Sequence, residues 1–130
     1  MKTSKPVVCE CGLKAADVCC RAIHSGSRPA LTAEELMRSR YTAYCIKNEP
    51  YLLATWHPSK CPETLNLAAD QSTKWLGLDV RKHLTKGDEA TVEFVARFKE
   101  GGGPAFRLHE ASRFVREKGN WYYVDGDIFE

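Results

Sequence analysis

No run in this sequence approaches the roughly 18 to 20 consecutive apolar residues needed to cross a bilayer. The polar opening MKTSKP has no apolar stretch behind it, so neither a membrane span nor a secretory signal is expected. An excess of one charge is also lacking. Nineteen Lys and Arg against seventeen Asp and Glu leave a net +2, too mild for the concentrated basic stripe of a nucleic-acid binder. Internal repeats, low-complexity tracts, a phosphate-cradling glycine loop, a Ser-His-Asp order and a paired-carboxylate motif are all missing. With 130 residues the chain can bury one ordinary core without cross-links, so disulfides are not required. The expectation is a soluble, cytoplasmic protein.

Cysteine, by contrast, is concentrated. Four of the six lie in CECGLKAADVCC, residues 9–20. In a reducing compartment such crowding points to a metal site or a redox centre ahead of a structural disulfide. A redox dithiol is expected as CxxC at a helix start, a spacing this chain does not contain. A structural zinc site takes four soft or borderline ligands from two short turns. Cys9 and Cys11 form one pair and Cys19 and Cys20 the other, with Gly12 suited to the tight turn after the first pair. Adjacent side chains diverge, so His24 is the alternative fourth ligand to Cys20. Four protein ligands would close the coordination sphere and leave no position for catalytic water. Cys45 and Cys61 read as ordinary small residues.

The segment HSGSRPA, residues 24–30, reads as a linker, separating a module over 1–26 from a domain over 27–130. The domain opens on a complete helix start: Thr32 as N-cap, Glu35 closing a capping box, and Leu31 with Leu36 as a hydrophobic staple. This predicts a helix over 32–46. A second helix is expected from Asn48, with Pro50 in its first turn, until Pro58 stops it, placing His57 at its terminus. CPETLNLAAD is read as a third short helix or a loop.

From Trp75 the hydrophobic period becomes two. Leu76, Leu78 and Val80 alternate, then Val92, Phe94, Ala96 and Phe98, then Phe106, Leu108, Glu110, Ser112 and Phe114, and WYYVDGDIF follows. Glycine-bearing turns in TKGDE, KEGGGP and REKGN make the four strands an antiparallel meander. One apolar face per strand implies an α+β fold, with helices covering one side of a curved four-stranded sheet.

C-x-C-G followed by CC and a short linker with a histidine resembles the SEC-C motif, a small zinc-binding module known from the tail of the translocase motor SecA. The stretches ALTAEELMRSRYTAY, YLLATWHPS and GNWYYVDG are similar to the YchJ-like bacterial proteins of unknown function, and the resemblance spans essentially the whole chain. It implies a SEC-C zinc knuckle over 1–26 and a nuclear-transport-factor-2-like cone over 27–130. It further implies Zn2+ held by Cys9, Cys11, Cys19 and Cys20, with a histidine at the position of His24. A protein partner reached through the module is expected, of the translocation or ribosome-associated kind, while oligomeric state is left open. The chain departs from the motif in having seven residues between Cys11 and Cys19 where the family has eight, and in lacking its Ser-Gly.

Cones of this type commonly enclose a cavity, and polar residues on inward faces are candidate pocket groups. At 100° per residue Arg40 falls within the apolar arc of the first helix, and Glu110 shares a sheet face with Leu108 and Phe114. A buried cation and a buried anion are each costly alone, which predicts an Arg40–Glu110 contact, readable equally as a structural ion pair. Tyr44, with Tyr41, Trp121 and Tyr123, is expected as aromatic lining, and His57 with Trp56 at the pocket mouth. His109 falls on the opposite face, and His83 reads as a surface residue. The reading that follows is a zinc-binding adaptor or binding protein. The alternative is an enzyme or small-ligand binder using Arg40 and Glu110. Binding is preferred because the available acids and bases are few.

Overall fold

The computed structural model describes residues 8–13 and 19–129. Along the chain these form α1 (Cys20–His24), α2 (Ala33–Ile46), α3 (Glu49–Ala54), a 3₁₀ turn (Leu67–Ala69), β1 (Thr73–Lys86), β2 (Glu89–Glu100), β3 (Ala105–Glu117) and β4 (Asn120–Phe129). The four strands pair in sequence order, each antiparallel to the next. This is the α+β meander that the period-two pattern predicts. No helix among the described residues is long and apolar enough to cross a membrane.

Local chemistry accounts for the element ends. Thr32 is extended, and its hydroxyl accepts from Glu35 N at 3.1 Å. Glu35 Oε1 in turn accepts from Leu31 N at 2.8 Å, one residue earlier than a standard capping box. The staple does not form: Leu36 is buried, but Leu31 is 71% exposed because its backbone is drawn to Glu35. Asn48 caps α3 by accepting from Tyr51 N, with Pro50 in the first turn. The helix stops at Ala54, four residues before Pro58. The Thr55 hydroxyl donates back to Tyr51 O at 2.8 Å, and Trp56 leaves the helix to pair in parallel with Tyr123 of β4. His57 therefore belongs to a chain segment laid on the sheet edge, with its N–H donating to Tyr123 O at 2.7 Å.

The sheet curves because it is bulged. Register shifts interrupt β1 between Trp75 and Gly77 and between Val80 and Lys82, and the β3–β4 pairing at Arg113/Phe114. Each extra residue bends its strand. The first shift also corrects the strand pattern: Trp75 and Leu78 pack on the core, while Leu76 is 45% exposed. The β3–β4 connection is a two-residue turn in which Lys118 and Gly119 both have positive φ, which matches the twist of the strands it joins.

α2 lies against β1, β2 and β4. Its Leu36, Met37 and Tyr41 meet Val92, Phe94, Phe114 and Trp121 from the sheet in one buried cluster. The four N-terminal cysteines belong to that same cluster, so the cysteine segment packs directly onto the helix.

Candidate metal centre and cone cavity

Two turns of chain bring Cys9, Cys11, Cys19 and Cys20 together. Gly12 N donates to Cys9 O at 2.8 Å with Gly12 at φ +83, the left-handed turn that glycine supplies without strain. Cys19 and Cys20 begin α1. All four sulfurs are buried, and they lie within 4.8 Å of one another. The Cys11–Cys19 separation is 3.5 Å and the Cys19–Cys20 separation 3.9 Å. A tetrahedron with metal–sulfur bonds of ~2.3 Å has edges of about 3.8 Å, so the donor set fits a tetrahedral thiolate-binding metal in both number and size. Adjacency of Cys19 and Cys20 is no obstacle, because Cys19 is the non-helical N-cap of α1, at φ −96 and ψ −118, and its sulfur lies 3.9 Å from that of Cys20.

The four thiols shift one another's ionisation. Hydrogen bonding from neighbouring thiols, led by Cys20, holds Cys11 down to about 5. Burial, followed by its contact with Cys11, pushes Cys19 up to about 11, and the Cys11 hydrogen bond pushes Cys20 up as well. One thiolate is stabilised at its neighbours' expense. A dication at the centre would let all four ionise.

α2 supplies the outer support. The Thr42 hydroxyl lies 3.4 Å from Cys9 Sγ, and Arg38 Nη1 donates to Cys11 O at 2.9 Å. Arg21 and Glu10 form a two-bonded ion pair at 2.8 and 2.7 Å across the module. His24 faces elsewhere. Its Nε2 donates to Ser39 O at 2.7 Å and its ring stacks on Tyr51 at 4.3 Å, so it ties α1 to α2 and α3. Burial lowers its pKa. Most of the shortened Cys11–Cys19 turn, residues 14–18, lies outside the described residues.

On the other side of α2 a cavity of about 270 Å³ opens between helix and sheet. Arg40, Tyr44 and Glu110 line it, as the patterning predicts, with Tyr41, Ser112 and Tyr123. His57 does not. Its Nε2 donates to Glu117 Oε2 at 2.9 Å and its Nδ1 accepts from Ser59 N, outside the cavity. Trp121 is buried beneath Arg116, whose guanidinium is 5.0 Å from its ring, and it does not line the cavity either. His109 faces away from Glu110, with Nε2 2.8 Å from Glu93 Oε2. His83 is half-buried, 3.6 Å from Glu34, where a free surface position was expected.

Arg40 is 5% exposed, but its partner is not Glu110. Nη1 donates to Leu52 O and Thr55 Oγ1, both at 2.7 Å, and the guanidinium lies over the rings of Tyr123 and Trp56 at 4.5 and 5.0 Å. Glu110 instead accepts from Ser112 Oγ at 2.6 Å and from the Tyr123 hydroxyl at 3.4 Å. The predicted ion pair is thus replaced by a relay through Tyr123. The missing signal was the return of Trp56 to the sheet, which brings the end of α3 within reach of Arg40. Burial raises the pKa of Tyr44, and the field of Arg40 lowers it in part.

Known proteins match this arrangement along the chain. The sequence profile described as YchJ, middle NTF2-like domain, matches residues 32–126. A UPF0225 protein of Ralstonia nicotianae is 50% identical over 131 residues, covering 92% of this chain and 90% of the relative. Another, of Cupriavidus metallidurans, is 52% identical over 132 residues, covering 96% and 92%. The solution structure of a SEC-C motif containing protein from Rhodopseudomonas palustris superposes with a TM-score of 0.86 at 38% identity, covering 95% of this chain and 100% of that one. The crystal structure of a SEC-C motif containing protein from Psychrobacter arcticus gives 0.76 at 30% identity, covering 95% and 84%.

Proposed function

This chain belongs to the YchJ family, whose middle domain is NTF2-like, and from that premise we propose that its four-cysteine module holds one zinc ion and serves as an adaptor surface for a protein partner. The observation that carries the reading is the buried tetrad of sulfurs within 4.8 Å. Thiolate softness and tetrahedral size favour zinc among the common divalent ions. Four protein ligands would leave no open position, so the ion would be structural. Zinc bound here would supply the charge that lets four neighbouring thiols ionise, and would tie the Cys9–Gly12 turn to the start of α1.

A protein-facing role is supported by the module's surface. Val8 and Leu13 flank the cysteines and are 64% and 48% exposed, apolar contacts of the sort that protein interfaces cover. The partner, on the SEC-C likeness, is of the translocation or ribosome-associated class, in the reducing cytoplasm where thiolate zinc sites persist. The module is taken as 1–26 and the domain as 27–130, meeting at the left-handed Gly26.

Metal analysis of anaerobically purified protein tests the first half: one zinc per chain is expected, falling by at least half in Cys9→Ser. No stoichiometric zinc in the unsubstituted protein overturns the metal reading. For the second half, Leu13→Asp is expected to retain zinc and to lose a partner that the unsubstituted protein captures.

A further inference from the structure

A cavity lies on the far side of α2 from the cysteine module. Arg38, Ser39 and Thr42 face the cysteine module, whereas Met37, Arg40 and Tyr44 line the cavity.

Among the described residues Arg40 enters this space as a cation without an anion, and only its Nη1 is hydrogen-bonded, to Leu52 O and Thr55 Oγ1. Among the described residues Nε and Nη2 have no protein acceptor, and neither is a fully enclosed unpartnered atom as His24 Nδ1 and Trp121 Nε1 are. The residue itself lines the cavity. A buried guanidinium without a counter-charge is costly, and the two aromatic faces offset only part of that cost. An anion entering the cavity would supply the remainder.

Glu110 presents the complementary vacancy. Its Oε2 is taken by Ser112 and Tyr123, while its Oε1 receives no protein hydrogen bond among the described residues. Tyr123 sets the spacing, since Arg40 stands against its ring and Glu110 takes its hydroxyl. The two polar groups therefore stand around the hydroxyl half of that ring, one over its face and one at its edge. Between them the walls are Met37, Tyr41, Trp75, Phe94, Leu108 and Phe114, the apolar lining with few convergent polar groups that marks a small-molecule site. The volume of about 270 Å³ suits a small ligand built on a single ring.

We infer that the cavity binds a monocyclic aromatic carboxylate carrying a hydroxyl or amino donor at the opposite end of its ring, with the carboxylate on Arg40 and the donor on Glu110. The anion completes the guanidinium's hydrogen bonding. The donor satisfies Glu110 Oε1, and the ring packs on Trp75 and Phe94.

The test is an NMR titration of the full-length protein with 4-hydroxybenzoate, 4-hydroxybenzamide and benzoate, read at the Trp75 indole N–H and the Ala96 and Leu108 amides. 4-Hydroxybenzoate is expected to give saturable shifts at these positions and to bind about tenfold tighter than either comparison compound, a difference of ~1.4 kcal/mol. Arg40→Met is expected to abolish the preference over the amide. Glu110→Leu is expected to abolish the preference over benzoate while benzoate binding persists. Equal affinity for 4-hydroxybenzoate and 4-hydroxybenzamide in the unsubstituted protein overturns the inference whether or not the variants fold. So does the absence of saturable shifts at millimolar ligand. Neither result bears on the zinc content.

Discussion

The Thr42 hydroxyl lies 3.4 Å from Cys9 Sγ, with both residues buried, and two positions earlier the same helix buries Arg40 in the cavity on its other side. α2 is thus the shared wall of the cysteine cluster and the cone. Its small polar residues, Ser39 and Thr42, serve the module, while Arg40 and Tyr44 serve the cavity.

Thr42→Val keeps the side chain's shape and removes the hydroxyl from Cys9. Partners behind metal ligands typically change affinity by 10–100-fold. On the proposed zinc reading, the variant is expected to release the ion roughly tenfold more readily to a competing chelator and to lose ~1 kcal/mol of stability. Competition titration and urea denaturation read the two effects separately, and unchanged zinc retention would remove Thr42 from the site.

Thr32→Ala removes the acceptor for Glu35 N at the start of α2. A cost of ~1 kcal/mol is expected, as for other N-cap threonines. Thr32→Ser should restore most of the loss in the same denaturation experiment.

Gly126 leaves room for a carboxylate. A Cβ there would collide with Glu110 Oε2 and lie 3.1 Å from Ala111 O. Gly126→Ala is expected to destabilise by ~1–3 kcal/mol through overpacking. Adding Glu110→Ala should recover part of that cost, because the worse contact is with a side chain. A double-mutant cycle with no coupling would contradict this geometry.

Glu49 organises the loop before β1 by accepting from Leu67 N, Leu65 N and the Thr64 hydroxyl at 2.9, 3.1 and 3.0 Å. The backbone hydrogen bonds, led by that of Leu67, lower its pKa below the ordinary 4.5. The sign follows from linkage: the stabilisation is fully present above the unfolded carboxylate range and is lost as pH falls through the lower folded value. The Leu65 and Leu67 amide shifts should titrate together with a midpoint below 4.5, and Glu49→Gln should abolish that transition.

Features that depend on near neighbours were readable from the sequence. The Thr32 cap lies three residues from Glu35, and the strands of the meander are written in a period of two and joined by glycine-bearing turns. Cys9 and Cys11 needed only the Gly12 turn to come together, and helical spacing alone placed Arg40 on an inward face. Leu76 departs from the period-two pattern because a bulge at Trp75/Gly77 shifts the alternation by one residue. Nothing in the residue pattern marks which strand position will carry the extra residue.

By itself, then, the sequence determined an α+β meander behind a cysteine-rich segment, because capping, periodicity and short turns act over a few residues of chain. Tertiary structure decided the partners. It turned His24 onto Ser39 and away from the sulfurs, and it returned Trp56 to β4, so that Arg40 meets Leu52 O, Thr55 and two aromatic rings while Glu110 remains at the other end of Tyr123. These choices turn on where distant segments come back together, and burial makes each of them consequential: a guanidinium that helical spacing places on an inward face becomes a binding determinant only once the cone has closed around it without a carboxylate.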